Sequence, residues 1–467
     1  MVFQQISSIS NLFQMNYQNI LSSQRDFFKT QKTKNLKFRK LNLEKLKKLI
    51  LENEELFYEA ISKDFGKSKF ETYVTEISFV LKDIDYYLKK LNSLSKPKKV
   101  RTNLANQFGT SKIYSDPLGC VLVIGAWNYP YQLSLSPLIA AMAAGNCCIL
   151  KPSEVAENTM KLMAEMINKN FDSNYIHVFE GGIDETTEIL KLKFDKIFFT
   201  GSTKVGKIVY KAAAENLTPV TLELGGKSPA IVTENAEIDV AAKRIVWGKF
   251  INAGQTCVAP DYILVHEKIQ SQLLEKLKFY IEKFRYENNS EQYTRIINQK
   301  NFERLVKVID RDKIYSGGIF EEENLFIEPT VLENVSWNDG IMQDEIFGPI
   351  LPVLSFNDFN ITLNEILQHE KPLAAYLFSN NSEEKEGFTN TLSFGGGCIN
   401  DVMMHLGNEN LPFGGVGNSG MGSYHGKFGF DTFSHQKAVL DRATWGEPNF
   451  KYPPYSESAM KWIKKLL

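Results

Sequence analysis

A short apolar run closed at each end by glycine, Gly119-Cys120-Val121-Leu122-Val123-Ile124-Gly125, constrains this chain most. It has no polar alternation, so it reads as a strand buried on both faces, the habit of parallel sheets. Parallel neighbours need long crossovers, usually helical. The following residues supply them. A small-residue helix is expected from Pro137 to Gly145, then the strand Asn146-Cys147-Cys148-Ile149-Leu150, ending on Lys151-Pro152-Ser153-Glu154. A strand near 175–179, a helix near 184–192 and the strand Lys196-Ile197-Phe198-Phe199 continue the alternation up to Gly201. This pattern predicts a doubly wound α/β sheet, whose ligands bind at the carboxyl ends of the strands. Lys151 and Gly201 both fall at such ends. A second α/β pattern follows Gly225-Gly226, with strands at Ala230–Val232 and Tyr262–Val265 and helices near 237–252 and 267–284. Upstream, Leu43, Leu46, Ile50, Phe57 and Ile61 recur at helical spacing and predict one amphipathic helix.

Composition narrows the function classes. The chain has 467 residues, 43% hydrophobic and 23% charged, with a net charge of −1. That is ordinary for about two or three globular domains and offers no general attraction to nucleic acid or anionic membranes. The 5 cysteines, at 120, 147, 148, 257 and 398, are odd in number and contain no CxxC pair. Neither a disulfide framework nor a zinc knuckle is implied, and a reducing, cytoplasmic setting fits. The 6 histidines show no ligand spacing, so no metal is expected. No apolar run approaches the ~20 residues of a membrane span, so no transmembrane anchor is expected. The N-terminus lacks the pattern of a signal or transit peptide. Residues 1–14 are expected to be a frayed extension ahead of a start at Met15. The tail 443–467 carries Met460, Trp462, Ile463 and Leu466 among lysines, which fits a frayed surface helix or a short interfacial one.

Several segments carry candidate chemistry. Cys257 lies in Gln255-Thr256-Cys257-Val258-Ala259-Pro260, and Glu223 in Leu222-Glu223-Leu224-Gly225-Gly226-Lys227. A thiol and a carboxylate in such segments suit covalent catalysis, with thiolate attack and a carboxylate to activate water. A small core thiol would read the same way. Gly201-Ser202-Thr203-Lys204-Val205-Gly206-Lys207-Ile208 nearly matches a phosphate loop, but Ile208 replaces the hydroxyl residue that would hold magnesium. A nucleoside triphosphatase is therefore disfavoured. A glycine turn opening a helix can still meet a pyrophosphate, or be a plain turn. Asn128, in Trp127-Asn128-Tyr129-Pro130, is either an oxyanion donor or a turn former before proline. Glu345, in Gln343-Asp344-Glu345-Ile346-Phe347-Gly348-Pro349, is either a ribose ligand or a surface-loop residue. Gly417-Asn418-Ser419-Gly420 is not a nucleophile elbow, which argues against a serine hydrolase.

Taken in order, Trp127-Asn128-Tyr129-Pro130, Lys151-Pro152-Ser153-Glu154, Gly201 to Gly206, Glu223 to Lys227, Gly254-Gln255-Thr256-Cys257, Glu345 to Pro349 and Pro412-Phe413-Gly414-Gly415 resemble the aldehyde dehydrogenase superfamily. The resemblance covers about residues 15–440. The runs Leu411 to Gly426 and Ala259-Pro260-Asp261-Tyr262 look closest to the class 3 and fatty aldehyde branch.

The resemblance implies two doubly wound, Rossmann-like α/β domains and a small β oligomerisation element. It places an NAD(P)-binding domain at 15–222 with a hairpin near 100–117, a catalytic domain at 223–410, and a return segment at 411–442 that completes a homodimer contact. It implies Cys257 as nucleophile, Glu223 as the base that activates water, and Asn128 with the Cys257 N–H as the oxyanion hole. Lys151 and Glu154 would hold the adenosine ribose, and Gly201, Ser202 and Gly206 the pyrophosphate. Glu345 would hold the nicotinamide ribose, with Phe347 beside the nicotinamide. Tyr129 and Phe413 would contact substrate, and Phe79 could join them or belong to the core. The implied reaction is NAD- or NADP-dependent oxidation of medium, long-chain or aromatic aldehydes to acids, without a metal. A dehydrogenase releasing acyl-CoA and a non-catalytic descendant are the rival readings. Glu223 argues against the first, and the presence of both Cys257 and Glu223 against the second.

Overall fold

The computed structural model describes residues 2–287, 293–447 and 449–466. Helices α1 (Val2–Lys29), α2 (Leu36–Glu52) and α3 (Glu54–Phe65) precede the first sheet. They are followed by α4 (Lys69–Thr72), a π-helical turn (Tyr73–Ile77) and α5 (Ser78–Ser95). Residues 2–14, expected to fray, continue the backbone of α1, while Met1 and Leu467 lie outside the described residues. The single amphipathic helix expected across 43–61 is two helices. Asn53 interrupts it with φ −116° and ψ 16°, and its side chain donates to the Leu49 carbonyl at 2.7 Å. That local bond offers the backbone an alternative to continuing the helix. The apolar face itself is as read: Leu43, Leu46, Ile50, Phe57 and Ile61 are all fully buried.

The first sheet is built around β3 (Cys120–Ile124), after β1 (Lys98–Val100) and β2 (Gly109–Pro117). Helix α6 (Pro130–Ala144) crosses to β4 (Cys147–Lys151), then α7 (Glu157–Asn170) to β5 (Ile176–Val178). The chain returns through α8 (Ile183–Leu190) to β6 (Lys196–Thr200) and through α9 (Thr203–Ala214) to β7 (Val220–Glu223). Helix α6 starts at Pro130, not Pro137. Pro130 occupies the first turn, where its missing N–H has no intrahelical partner to lose. Spatially, β4 and β5 lie on one side of β3 and β6 and β7 on the other, all parallel. The topological switch point therefore falls between the carboxyl ends of β3 and β6. A short antiparallel strand from the far C-terminal part, Gly420–Met421, completes the sheet beside β7.

The second sheet has β8 (Pro229–Val232) and β9 (Tyr262–His266) at its centre, joined by α10 (Ile238–Phe250), with α11 (Gln270–Phe284) following. Strand Ile350–Phe356 lies parallel beside β9, and Ala374–Phe378 parallel beside β8. A third sheet joins β1, β2 and the strand Ser434–Arg442, the last two pairing antiparallel along their full lengths. The tail forms the helix Glu457–Leu466, with Met460 and Trp462 exposed. Among the described residues, no helix is long and apolar enough to cross a membrane.

Candidate active site

Two loops carry the chemistry. One leaves β7 at Glu223 and passes through Leu224-Gly225-Gly226 into β8; the other precedes β9 and holds Cys257. Both reach one cavity of about 700 Å³, and Tyr129, Phe413, Phe79, Thr200 and Trp247 also line it. Thus Cys257, Glu223, Tyr129 and Phe413 meet, although they come from four separate motifs.

Burial sets the electrostatics. Glu223 is 2% exposed, and neither carboxylate oxygen has a hydrogen-bond partner among the described residues. Desolvation holds its carboxyl well above the usual carboxylate range. Such a group binds protons strongly and is a stronger base once ionised. Burial likewise pushes the Cys257 thiol up to about 12, with the Glu345 and Glu223 carboxylates adding to the shift. The backbone N–H groups of Cys257 and Val258 act in the opposite direction, favouring negative charge on the sulfur. The resting thiol is therefore protonated at neutral pH, and ionising it requires a proton acceptor or added positive charge.

Asn128 is 3% exposed and sits beside the Cys257 loop. Its amide donates to the Gln255 carbonyl at 3.0 Å, and Asn252 Nδ2 donates to the Asn128 carbonyl at 2.9 Å. Asn252 and Ala253 adopt left-handed backbone conformations ahead of Gly254. The Asn128 side chain is not among those lining the cavity wall; Tyr129 fills that place.

The predicted cofactor residues lie around the carboxyl ends of the first sheet. Lys151 ends β4, with its Nζ 2.7 Å from the Pro152 carbonyl and 3.5 Å from the Glu154 carboxylate. Ser202 caps α9 by accepting from the Val205 N–H, and the first turn of α9 contains no acidic residue. A helix N-terminus of this kind suits a pyrophosphate. Gly206 packs inward: a Cβ there would lie 2.6 Å from Leu224 Cδ2, so its glycine serves the approach of α9 to the β7 loop.

Glu345 lies over Gly225, where a Cβ would stand 2.1 Å from Glu345 Oε2. Phe347 meets Trp127 edge to face at 5.5 Å. Lys227 bonds Asp261 Oδ2 at 2.5 Å and the Asp344 carbonyl at 2.9 Å, tying the Glu345 loop to the Glu223 loop. The switch-point crevice, the acid-free first turn of α9 and the Lys151–Glu154 pair together fit a dinucleotide. No cluster of three or more metal-ligating side chains occurs among the described residues.

Some residues at the site escaped the motifs. Thr200 lines the cavity with a buried Oγ1 that has no hydrogen-bond partner among the described residues. Trp247, from α10, forms another part of its wall. Lys67 and Glu76 lie behind Tyr129 as a fully buried ion pair. No local sequence pattern marks either residue as buried.

The profile of the aldehyde dehydrogenase family matches residues 3–439. The 4,4'-diaponeurosporen-aldehyde dehydrogenase of Staphylococcus aureus (strain NCTC 8325 / PS 47) is 50% identical over 442 residues, covering 94% of this chain and 96% of that protein. The dimeric NADP-preferring aldehyde dehydrogenase of Mus musculus is 45% identical over 443 residues, covering 94% and 98%. The solved substrate-bound state of Staphylococcus aureus AldH superimposes with a TM-score of 0.94 at 48% identity, covering 96% of this chain and 98% of that one. The chain belongs to the aldehyde dehydrogenase family and is an oxidoreductase that acts on aldehydes.

Proposed function

We propose that the protein oxidises medium or long-chain aliphatic and aromatic aldehydes to carboxylic acids through a covalent adduct on Cys257. The observation that carries this reading is the meeting of Cys257 and the unpartnered Glu223 carboxylate in one cavity walled by Phe79, Trp247 and Phe413. The Cys257 thiol gives its proton to water, and the thiolate attacks the aldehyde carbon. The developing oxyanion is met by the Asn128 amide and the Cys257 N–H, each such donor being worth about 3–4 kcal/mol. Bound NAD+ or NADP+ would accept the hydride released from the Cys257 thiohemiacetal as it becomes a thioester. Glu223 then draws a proton from water, which attacks the thioester and frees the acid and the thiol.

In this reading Lys151 and Glu154 hold the adenosine ribose, Gly201 and Ser202 the pyrophosphate, and Glu345 the nicotinamide ribose. Phe347 and Trp127 border the ring. Tyr129 and Phe413 contact substrate. The apolar cavity wall and the relative named for 4,4'-diaponeurosporen-aldehyde support a lipophilic substrate.

We read the chain as an extension at 1–14, a cofactor domain at 15–222, a catalytic domain at 223–410, a return at 411–442 and a tail at 443–467. The sheet of β1, β2 and Ser434–Arg442 leaves the last strand as an open edge with Val439 and Leu440 exposed. We assign it to a homodimer contact, as in the relative named dimeric. The free cysteines fit a reducing cytoplasm.

The deciding experiment follows NAD(P)H absorbance across an aldehyde chain-length series, with each cofactor in turn, with and without added coenzyme A. Turnover that strengthens with chain length, with free acid as product, is expected. Acyl-CoA formation in place of free acid would overturn the hydrolytic step, and silence with every aldehyde would overturn the reading as a whole.

A further inference from the structure

Behind Tyr129 lies a buried ion pair that takes no part in the proposed reaction. Lys67 Nζ is 2.8 Å from Glu76 Oε1, and both side chains are 0% exposed. Buried pairs of this kind add little net stability, because desolvating two charges offsets their attraction. What distinguishes this one is where its remaining bonds go.

Lys67 Nζ donates to the Asn128 carbonyl at 3.2 Å and sits 4.2 Å from the centre of the Tyr129 ring. Glu76 Oε2 accepts from the Tyr131 N–H at 2.8 Å and the Gln132 N–H at 3.4 Å. These are first-turn N–H groups of α6, whose own N-cap position, Tyr129, makes no side-chain cap bond. The carboxylate thus caps α6 from outside and favours its positive end. The cation grips the preceding carbonyl, which Asn252 Nδ2 also holds, at 2.9 Å.

Glu76 reaches this place from the π-helical turn Tyr73–Ile77. Tyr73, Val74 and Thr75 of the same turn line the substrate cavity, whereas Glu76 is wholly buried. Single π-turns recur at functional sites because they redirect a side chain without ending the helix.

We infer that Lys67 and Glu76 are positioning residues of the reaction: together they clamp Asn128–Gln132 at both ends and so hold the Asn128 amide at the Cys257 loop. The inference rests on the proposed role of Asn128 as an oxyanion donor. The clamp fixes the backbone on both sides of Tyr129, and a misplacement of about 1 Å at such a donor can slow the chemistry about 10²-fold.

The test is a mutant cycle read by the pre-steady-state NADH burst, which reports acylation. Lys67→Met with Glu76→Gln replaces the pair by neutral groups of similar volume, a change that cores often tolerate. Asn128→Ala removes the donor, and the triple variant combines them. Asn128→Ala is expected to slow the burst about 10²–10³-fold. The neutral pair should slow it by at least about tenfold in the wild-type background but by less than about twofold in Asn128→Ala, the limit within which independent sites add. The NAD+ dissociation constant should stay within about twofold of wild type in all three.

A wild-type burst in the neutral-pair variant, or the same loss with and without Asn128, would overturn the proposal. A normal burst in Asn128→Ala would instead remove the oxyanion reading itself, and the clamp with it. If the neutral pair does not fold, Lys67→Met alone takes its place in the cycle, with the same outcomes, since it removes the bond to the Asn128 carbonyl while Glu76, whose carboxyl burial already raises, can keep a proton and stay neutral.

Discussion

The hydroxyls of Tyr129 and Thr256 lie 2.6 Å apart, so the residue after Asn128 is hydrogen-bonded to the residue before Cys257. Both are buried, and each belongs to a different sheet's loop system. The bond registers the proposed oxyanion donor against the proposed nucleophile. Tyr129→Phe leaves the ring in the cavity wall but strands the Thr256 hydroxyl. A loss of about 1–3 kcal/mol is expected for a buried polar group left without its partner, visible as a lowered denaturation midpoint. The burst rate should fall as well. An unchanged burst would mean that the two loops are registered without this bond.

Cys257→Ala removes the only thiol on the cavity wall among the described residues. Oxidation should fall to background. The proposed dinucleotide residues Lys151, Glu154, Ser202 and Glu345 are not at Cys257, so NAD+ binding by calorimetry should persist. Residual turnover near wild type would take Cys257 out of the mechanism.

The sheet cores were legible because uniformly apolar runs such as Cys120–Ile124 and Cys147–Leu150 have one physical explanation, burial on both faces. Helix boundaries were less so. Asn53 breaks a periodic apolar face without disturbing its spacing, and Pro130 and Pro137 are both compatible with a helix start until packing is known. At the site, Cys257 and Glu223 announced themselves by their motifs. Lys67 and Glu76 did not, since a lysine in a short interhelical loop and a glutamate in a helical turn look identical whether solvated or sealed. Gly206 was legible as glycine but not as packing against Leu224, because the phosphate-loop pattern offered a ready reason for it.

Glu223→Gln should separate the two half-reactions. The amide cannot accept the proton from water, so a burst of NADH followed by a stall is expected. Equal loss of burst and steady state would place Glu223 in acylation. In the native enzyme, acid protonates Glu223 and removes the base, so deacylation falls as pH falls. Because burial raises this carboxyl, the acid limb should lie above the ordinary glutamate value of about 4.3. That limb should vanish in the Gln variant.

Glu345 makes a stability prediction with a definite sign. Burial raises its carboxyl to about 8, with Asp261 adding to the shift and Lys227 and Arg304 opposing it. In the unfolded chain the same group titrates near about 4.3. Between those values the native state holds the proton and the unfolded state does not, so this group's contribution to stability declines as pH rises through the window. Glu345→Gln removes the titration. Relative to wild type, its melting temperature should improve progressively from pH about 4.5 to about 8. A constant difference across that range would show that Glu345 is ionised in the native protein.

Gly254, three residues before Cys257, tests how closely the nucleophile loop and the Glu345 loop must approach. Its φ is +72°, and a Cβ there would stand 2.3 Å from the Gly348 carbonyl oxygen and 3.0 Å from that of Lys249. Both obstacles are backbone, which cannot rotate aside as a side-chain end would. Gly254→Ala therefore combines a disfavoured left-handed conformation with overpacking worth about 1–3 kcal/mol. The loop should yield before the sheets do, since β9 is anchored on both sides by parallel neighbours. The expected result is a lowered melting temperature together with a burst rate reduced more than the NAD+ affinity. Wild-type stability in this variant would mean that the two loops stand farther apart in solution than the Gly254–Gly348 contact requires.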